Sequence, residues 1–149
     1  SDVCSSDLIF MAEGIGFEVK MNKPYNQAVE VVTAALKSEG FGVLTSIDVK
    51  ATMKEKLDED FRPYVILGAC NPPLAHRALT ADSAIGLMLP CNVTIEEDGH
   101  NGALVRIIDP EVMMGVGEFA KNPEIQEVAE SASNKLKRVA QILRNETEI

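Results

Sequence analysis

The residues of this chain best suited to chemistry are two cysteines, Cys70 and Cys91, each followed directly by an asparagine. Cys70 lies in GACNPP over residues 68–73, and Cys91 lies in LPCNV over residues 89–93. The prolines restrict the backbone beside each cysteine. A thiolate can serve as a nucleophile, a redox centre or a metal ligand. His76 follows closely enough to face the same pocket as Cys70, where it would act as acid, base or ligand.

Cys70 is predicted to lie where a strand ends and a helix begins. The nearly continuous apolar run over residues 64–70 is typical of a central strand covered on both faces. Pro72 is near the start of a short helix that extends to Leu79. The unpaired N–H groups and the dipole of a helix start favour an anion, so a Cys70 thiolate would be stabilised there.

Cys91 shares the two-residue period of Leu89 and Val93, which predicts that it points to the apolar side of its strand and is buried. Pro90 cannot donate to a sheet, so this strand is predicted to be an edge, bulged or locally open there. If the two strands are neighbours, both thiols and His76 converge on one site. The candidate catalytic residues are Cys70, His76 and Cys91, and the candidate ligand-binding residues are Asn71, Pro72 and Asn92.

A simpler interpretation accounts equally well for the cysteines. Free cysteine is among the most buried residue types, so Cys70 and Cys91 could be two unrelated core residues. A Cys-Cys-His set lacks a fourth ligand and the C-x-x-C spacing, so no metal-binding set is assigned, although catalytic zinc or haem ligation stays open. No P-loop, dinucleotide fingerprint or serine elbow occurs. The sequence identifies no cofactor.

The pattern along the chain predicts one α+β domain with the order β-α-β-α-β-α-β-β-α. Alternating apolar residues over 16–21 and 41–47 indicate strands, and Asp48 is a typical N-cap for the helix that follows. Between the two strands, apolar residues recur at helical spacing and predict a helix. It ends at Gly40, a plausible C′ residue. The other predicted elements are a hairpin over 87–97 and 103–108 and a long helix opened by Asn122 and Pro123.

Composition narrows the class of protein and its partners. A chain of 149 residues matches one domain, and 14 Lys plus Arg against 23 Asp plus Glu give a net charge of −9. Without a run of basic residues, neither nucleic acid nor an anionic membrane surface is expected as a partner. No run approaches the roughly 20 apolar residues of a membrane span. A cytoplasmic location is expected, where cysteines are more often metal-binding or catalytic than disulfide-bonded.

The N-terminal residues are expected to be separate from the domain. SDVCSSDL over residues 1–8 resembles one reading frame of a common sequencing adapter, and Met11 is the expected natural start. Residues 1–12 are therefore predicted to be a non-native or disordered extension, and residues 13–149 a single α+β domain. Cys4 is excluded from every candidate site.

Four segments together resemble the domain of unknown function 302 family. They are GFGVLT at 40–45, IDVKATMKEKL at 47–57, RPYVILGACNPPLAHRAL at 62–79 and GLMLPCNV at 86–93, and the resemblance runs from about residue 16 to residue 143. It implies a fold similar to the TATA-binding-protein-like class, a homodimer, and a bacterial or archaeal source. It implies no established reaction. It also implies that many members lack one or both cysteines, which would restrict thiol chemistry to a subgroup.

Two hypotheses about function follow. The first is a non-enzymatic binding or assembly module with a pocket near Cys70, Asn71 and His76, in which the cysteines only pack. The alternative is a thiol-based redox, sulfur-transfer or metal- or haem-ligating protein that uses Cys70 with His76 and Cys91. The first is favoured because no complete catalytic constellation can be assembled from the sequence. The small-molecule ligand is not identified.

Overall fold

The computed structural model describes residues 10–148, and within them the chain forms one antiparallel sheet and five α-helices. The strands are β1 (Phe10–Ala12), β2 (Gly16–Met21), β3 (Gly42–Asp48), β4 (Tyr64–Cys70), β5 (Cys91–Glu97) and β6 (Ala103–Ile108). The helices are α1 (Tyr25–Ser38), α2 (Val49–Leu57), α3 (Pro72–Ala81), α4 (Pro110–Met113) and α5 (Pro123–Glu148), with 3₁₀ turns at Ser83–Met88 and Gly117–Lys121. The order across the sheet is β1-β2-β6-β5-β4-β3.

The predicted α+β architecture in a single domain is confirmed, and the structure adds elements that the sequence pattern did not separate. These are β1, the short helix α4 and the two 3₁₀ turns. Phe10–Ala12 falls within the predicted N-terminal extension but pairs with β2, so these three residues belong to the sheet. Residues 1–9, which hold Cys4 and most of that extension, lie outside the described residues.

The core lies between one face of the sheet and a layer of helices. Side chains alternate along each strand, so every second residue of β2, β4, β5 and β6 points into this core. Helix α5 covers them with a stripe of buried residues and also contacts α1 and α3. The buried stripe of α5 consists of Ile125, Val128, Ala129, Ala132, Leu136, Val139, Ala140 and Leu143.

The expectation that β4 is covered on both faces is wrong. Val65 and Leu67 are buried, but Tyr64 and Ile66, which alternate with them, are only half-buried. The apolar run led to the wrong prediction because it is compatible with two kinds of strand. One is covered on both faces, and the other carries apolar residues on a face that is partly open.

On the open face of the sheet, an ion-pair network replaces a second layer of helices. The Glu96 side chain is only 10% exposed, and its carboxylate accepts hydrogen bonds from Arg62 Nε at 2.8 Å and Arg106 Nη1 at 2.6 Å. Arg106 Nε also donates to Glu18 Oε1 at 3.0 Å. A carboxylate this buried is tolerated because both of its oxygens have charged partners.

Helix boundaries follow the predicted capping residues. Asp48 Oδ1 accepts a hydrogen bond from the backbone N–H of Ala51 at 2.9 Å, which confirms Asp48 as the N-cap of α2. Asn122 Oδ1 caps the start of α5 in the same way. Gly40 follows α1 with a φ of +84°, the left-handed conformation expected of a C′ glycine.

Gly68 lets the ends of β3, β4 and β5 pack together. A Cβ atom at this position would lie 2.7 Å from Cγ of Pro90 and would also collide with the Thr45 hydroxyl oxygen. The Pro90 ring cannot move easily to relieve this contact. The absence of a side chain at Gly68 is therefore a packing requirement.

Gly68→Ala should lower the free energy of unfolding by about 1–3 kcal/mol, because the added methyl group overpacks this corner. Urea unfolding monitored by circular dichroism measures the change. Gly42→Ala is the matched control, since a Cβ atom there has no neighbour within 4 Å. Equal stability of the two variants would contradict the packing requirement.

Candidate functional site

A cavity of about 320 Å³ opens at the end of the sheet where β4 stops and β5 begins. Its walls come from β3, β4, β5, α3 and α5, with one contribution from Met114 after α4. The lining residues are Phe41, Leu44, Thr45, Ala69, Cys70, Asn71, Leu74, Ala75, Leu79, Leu89, Pro90, Cys91, Met114, Val128 and Ala132. None of them carries a charge. This volume lies at the lower end of the range for small-molecule sites.

The two cysteines singled out from the sequence both line this cavity. Cys91 is 5% exposed, which confirms the predicted burial, whereas Cys70 is half-buried. Both are free thiols. Among residues 10–148, no hydrogen bond is formed by either sulfur.

Burial makes Cys91 a weak acid. Desolvation first, and then the electrostatic effect of Cys70, raise the pKa of the Cys91 thiol to about 12. Because the thiolate is the reactive form of cysteine, Cys91 is a poor nucleophile at neutral pH. Of the two candidates, Cys70 is the one whose position allows access from solvent.

The register of the sheet does not place the two thiols opposite each other on neighbouring strands. Cys91 faces Ala69 across β4 and β5, whereas Cys70 faces Gly42 across β3 and β4. Successive side chains on a strand point to opposite faces, so Cys70 and Cys91 are not a cross-strand pair. This register does not favour a dithiol mechanism, in which the two sulfurs must come within bonding distance of about 2 Å.

The Asn71 side chain forms hydrogen bonds that stabilise the fold, and Asn71 is also part of the cavity wall. It is 8% exposed, and its Oδ1 accepts a hydrogen bond from the Leu74 N–H at 3.3 Å, which caps α3. Its Nδ2 donates to the carbonyl oxygen of Glu39 at 3.4 Å. A Cβ at Gly40 would lie 2.9 Å from the same nitrogen. Both ends of the amide are engaged, which leaves little capacity for a ligand.

The other predicted site residues lie elsewhere. His76 is exposed and borders a separate surface depression with Arg77, Thr80 and Asn122, so the structure does not bring it to the two thiols. Asn92 is exposed on β5, and Pro72 is an exposed residue in the first turn of α3. Neither lines the cavity. Of the six candidates, only Cys70, Cys91 and Asn71 come together.

Sequence reasoning missed most of the wall. Val128 and Ala132 form part of the buried stripe of α5 and carry no signal that separates them from ordinary core residues. Leu44 lies at a register shift in β3 between Val43 and Thr45, and it is 69% exposed. An irregularity of this kind changes the direction of the side chains beside it, and no residue type in β3 predicts it.

No metal-binding cluster accompanies the thiols. Among the described residues, no group of three or more His, Cys, Asp or Glu side chains is arranged to hold a metal ion. Nor is any helix in this part of the chain both long enough and apolar enough to cross a membrane.

Comparison with known proteins defines the class of this chain. The model of the family described as domain of unknown function DUF302 matches residues 17–143, and the chain belongs to that family. It is similar to a solved structure described as an uncharacterized conserved protein DUF302 from Bacillus stearothermophilus. The two share 28% sequence identity with a TM-score of 0.76, over 87% of this chain and 98% of that one. No curated protein matches the chain.

The two thiols should differ sharply toward alkylation. At pH 8, four units below its pKa of about 12, about one Cys91 thiol in ten thousand is ionised. Iodoacetamide should therefore modify Cys70 in the folded protein and leave Cys91 unmodified, as measured by mass spectrometry of proteolytic fragments. In concentrated urea both should react. Equal labelling of the two in the folded protein would contradict the assigned burial.

Proposed function

We propose that this protein is a non-enzymatic binding module, with a cytoplasmic location, whose cavity beside Cys70 takes up a small uncharged apolar molecule. The observation that carries the proposal is the cavity itself, which has about 320 Å³ of space and a wall without a charged side chain. Protein interiors contain few voids larger than a water molecule. A concave, mostly apolar space of this size at the protein surface is typical of a small-molecule site.

The polar groups of the wall favour an uncharged occupant. They are the Thr45 hydroxyl, the Asn71 amide and the two thiols, and the amide is already engaged by Glu39 and Leu74. An ion transferred into such a site would lose its hydration without gaining a charged partner. An apolar molecule instead gains roughly 25 cal/mol for each Å² of surface that it removes from water.

The cavity also has an apolar rim. Leu44 is 69% exposed and Leu79 is 42% exposed, and both belong to the lining. Exposed apolar side chains that surround an opening are typical of a binding site rather than of a random surface.

Filling the cavity should abolish binding. Ala75 lines it and is half-buried on α3, so Ala75→Phe should place a ring in the opening and lower the affinity for an uncharged apolar fluorescent probe such as N-phenyl-1-naphthylamine at least tenfold. Fluorescence titration and competition with uncharged apolar compounds measure the loss.

Ala34→Phe is the matched control, because Ala34 is an exposed helical alanine of α1 outside the cavity wall. It should bind the probe as the wild type does. Absence of probe binding by the wild type, or equal binding by both variants, would contradict the cavity as the binding site.

We propose in addition that the module assembles as a homodimer through β3. This seven-residue strand forms an edge of the sheet and pairs, among the described residues, only with β4. Helix α2, which follows it, contains no buried residue. An unprotected edge strand is a template for pairing with another chain.

The exposed side chains of β3 and α2 also favour a partner on this surface. Leu44, Ile47 and Leu57 are 69%, 49% and 63% exposed. Three large apolar side chains in 14 consecutive positions, with no core behind them, favour a partner that covers them. Antiparallel pairing of two β3 strands around a two-fold axis gives each copy the same contacts.

A charge on β3 should prevent this assembly. Ile47→Lys should shift the protein from dimer to monomer in sedimentation velocity, because the interface would have to bury an unpaired ammonium group from each copy. Ile15→Lys is the control, since Ile15 is 51% exposed in the turn between β1 and β2. A monomeric wild type, or a dimer that survives Ile47→Lys, would contradict assembly through β3.

A further inference from the structure

We infer that Met114 is the specificity-determining residue of this cavity, because its side chain closes the end opposite the β3 opening and limits the length of the apolar molecule that can bind. This inference rests on the proposed binding function and adds what the site selects. Selection by length suits a wall that carries no charged side chain, since such a wall has few means of recognising chemical groups.

The cavity runs along one end of the sheet. The antiparallel pairing brings the start of β3, the end of β4, the start of β5 and the end of β6 to this end. β3 supplies Leu44 and Thr45 to the wall, β4 and β5 supply its middle, and Met114 lies in the loop that follows β6 and α4. Three strand spacings, which amount to about 14 Å, separate β3 from β6. Leu44 and Met114 therefore come from opposite ends of the cavity.

Exposure to solvent decreases in the same direction. Leu44 and Thr45, at the β3 end, are exposed. Met114 is 2% exposed, and the wall residues that α5 contributes, Val128 and Ala132, are also buried. The β3 end is thus the opening, and the Met114 end is closed.

Hydrogen bonds fix the main chain of Met114 beside α5. Its N–H donates to the carbonyl oxygen of Pro110 at 2.8 Å, and its own carbonyl oxygen accepts from Gln126 Nε2 at 2.9 Å. Gln126 Nε2 also donates to the carbonyl oxygen of Phe119 at 2.9 Å. Since both main-chain polar groups of Met114 are engaged and the residue belongs to the apolar core, its side chain is the part that closes the cavity.

The other buried wall residues are less suited to set the length of the ligand. Ala69 and Cys91 lie in strands, and Leu74 and Val128 lie in helices that hold the fold together. Met114 instead follows a helix of four residues. A methionine side chain is unbranched and has three rotatable bonds, so it fills the end of an irregular space without a rigid shape of its own. Shortening it should lengthen the cavity and leave the sheet and the long helices in place.

The test measures affinity as a function of ligand length. Straight-chain alkanols from hexanol to dodecanol serve as uncharged compounds that differ only in their number of methylenes. Each is titrated into the full chain loaded with N-phenyl-1-naphthylamine, and displacement of this fluorescent probe gives the dissociation constant. The proteins compared are the wild type, Met114→Ala, Met114→Val and Met21→Ala.

We expect the affinity of the wild type to rise roughly fourfold with each methylene that enters the cavity, and to stop rising once the chain reaches Met114. Met114→Ala leaves the space of the missing side chain empty, so the limiting length should increase by about two to three methylenes. The longest alkanols should then bind to Met114→Ala at least tenfold more tightly than to the wild type. Met114→Val is a smaller truncation that keeps the test decisive if Met114→Ala does not fold, and it should give a smaller increase.

Met21→Ala is the matched control. Met21 is 1% exposed on β2 and lies outside the cavity wall. The same truncation removes a comparable amount of core packing there, so both variants should lose stability in urea unfolding. Only the Met114 variants should change the limiting length.

An unchanged limit in the Met114 variants, an equal change in Met21→Ala, or an affinity that rises without a limit in the wild type would overturn the inference. Titration with the fluorescent probe separates this failure from failure of the proposed function. If the probe binds and Ala75→Phe prevents binding, the cavity is a binding site and only the role of Met114 is refuted. If the wild type does not bind the probe, both are refuted.

Discussion

The hydrogen bonds of one buried amide hold the site together. Asn71 caps α3 by accepting from Leu74 and donates to the carbonyl oxygen of Glu39, the residue that follows α1, so a single side chain links these two helix ends where β4 stops. The amide needs a neighbour without a side chain, and Gly40 provides it. The Glu39 carboxylate in turn accepts a hydrogen bond from Arg138 Nε at 3.0 Å, which brings α5 to the same corner. The cavity lies beside this corner, between β3, β4, β5, α3 and α5.

The alternation of side chains along the strands accounts for the different character of the two cysteines. Cys91 lies on the core side with Val93 and Ile95, and its burial there raises its pKa. Cys70 is placed at the terminus of β4, where the chain turns into α3 and the sheet no longer shields it fully. Both cysteines are terminal residues of their strands, so their different burial follows from the face of the sheet to which each position belongs.

Much of the fold follows from local signals in the sequence, whereas the site follows from them only in part. The capping residues Asp48 and Asn122 and the period around Cys91 predict structure correctly, because hydrogen bonding and strand alternation act over a few residues. The exposure of His76 follows from the helical phase of α3. Leu74 and Ala78 are buried one turn apart, which places His76 on the opposite, exposed side. The contribution of Val128 and Ala132 to the cavity depends on how α5 crosses the sheet, and no local pattern encodes that.

Leu44 connects the cavity with the edge of the sheet. The register shift next to it lifts it out of the β3–β4 ladder, and it lines the cavity while being 69% exposed on the strand proposed to pair with a second copy. A partner strand beside β3 would have to accommodate this side chain, and a ligand in the cavity would contact its other side. Any rearrangement of Leu44 caused by one event therefore changes the surface available to the other. Coupling between the proposed assembly and the proposed ligand binding would need no long pathway, because one apolar side chain belongs to both proposed surfaces.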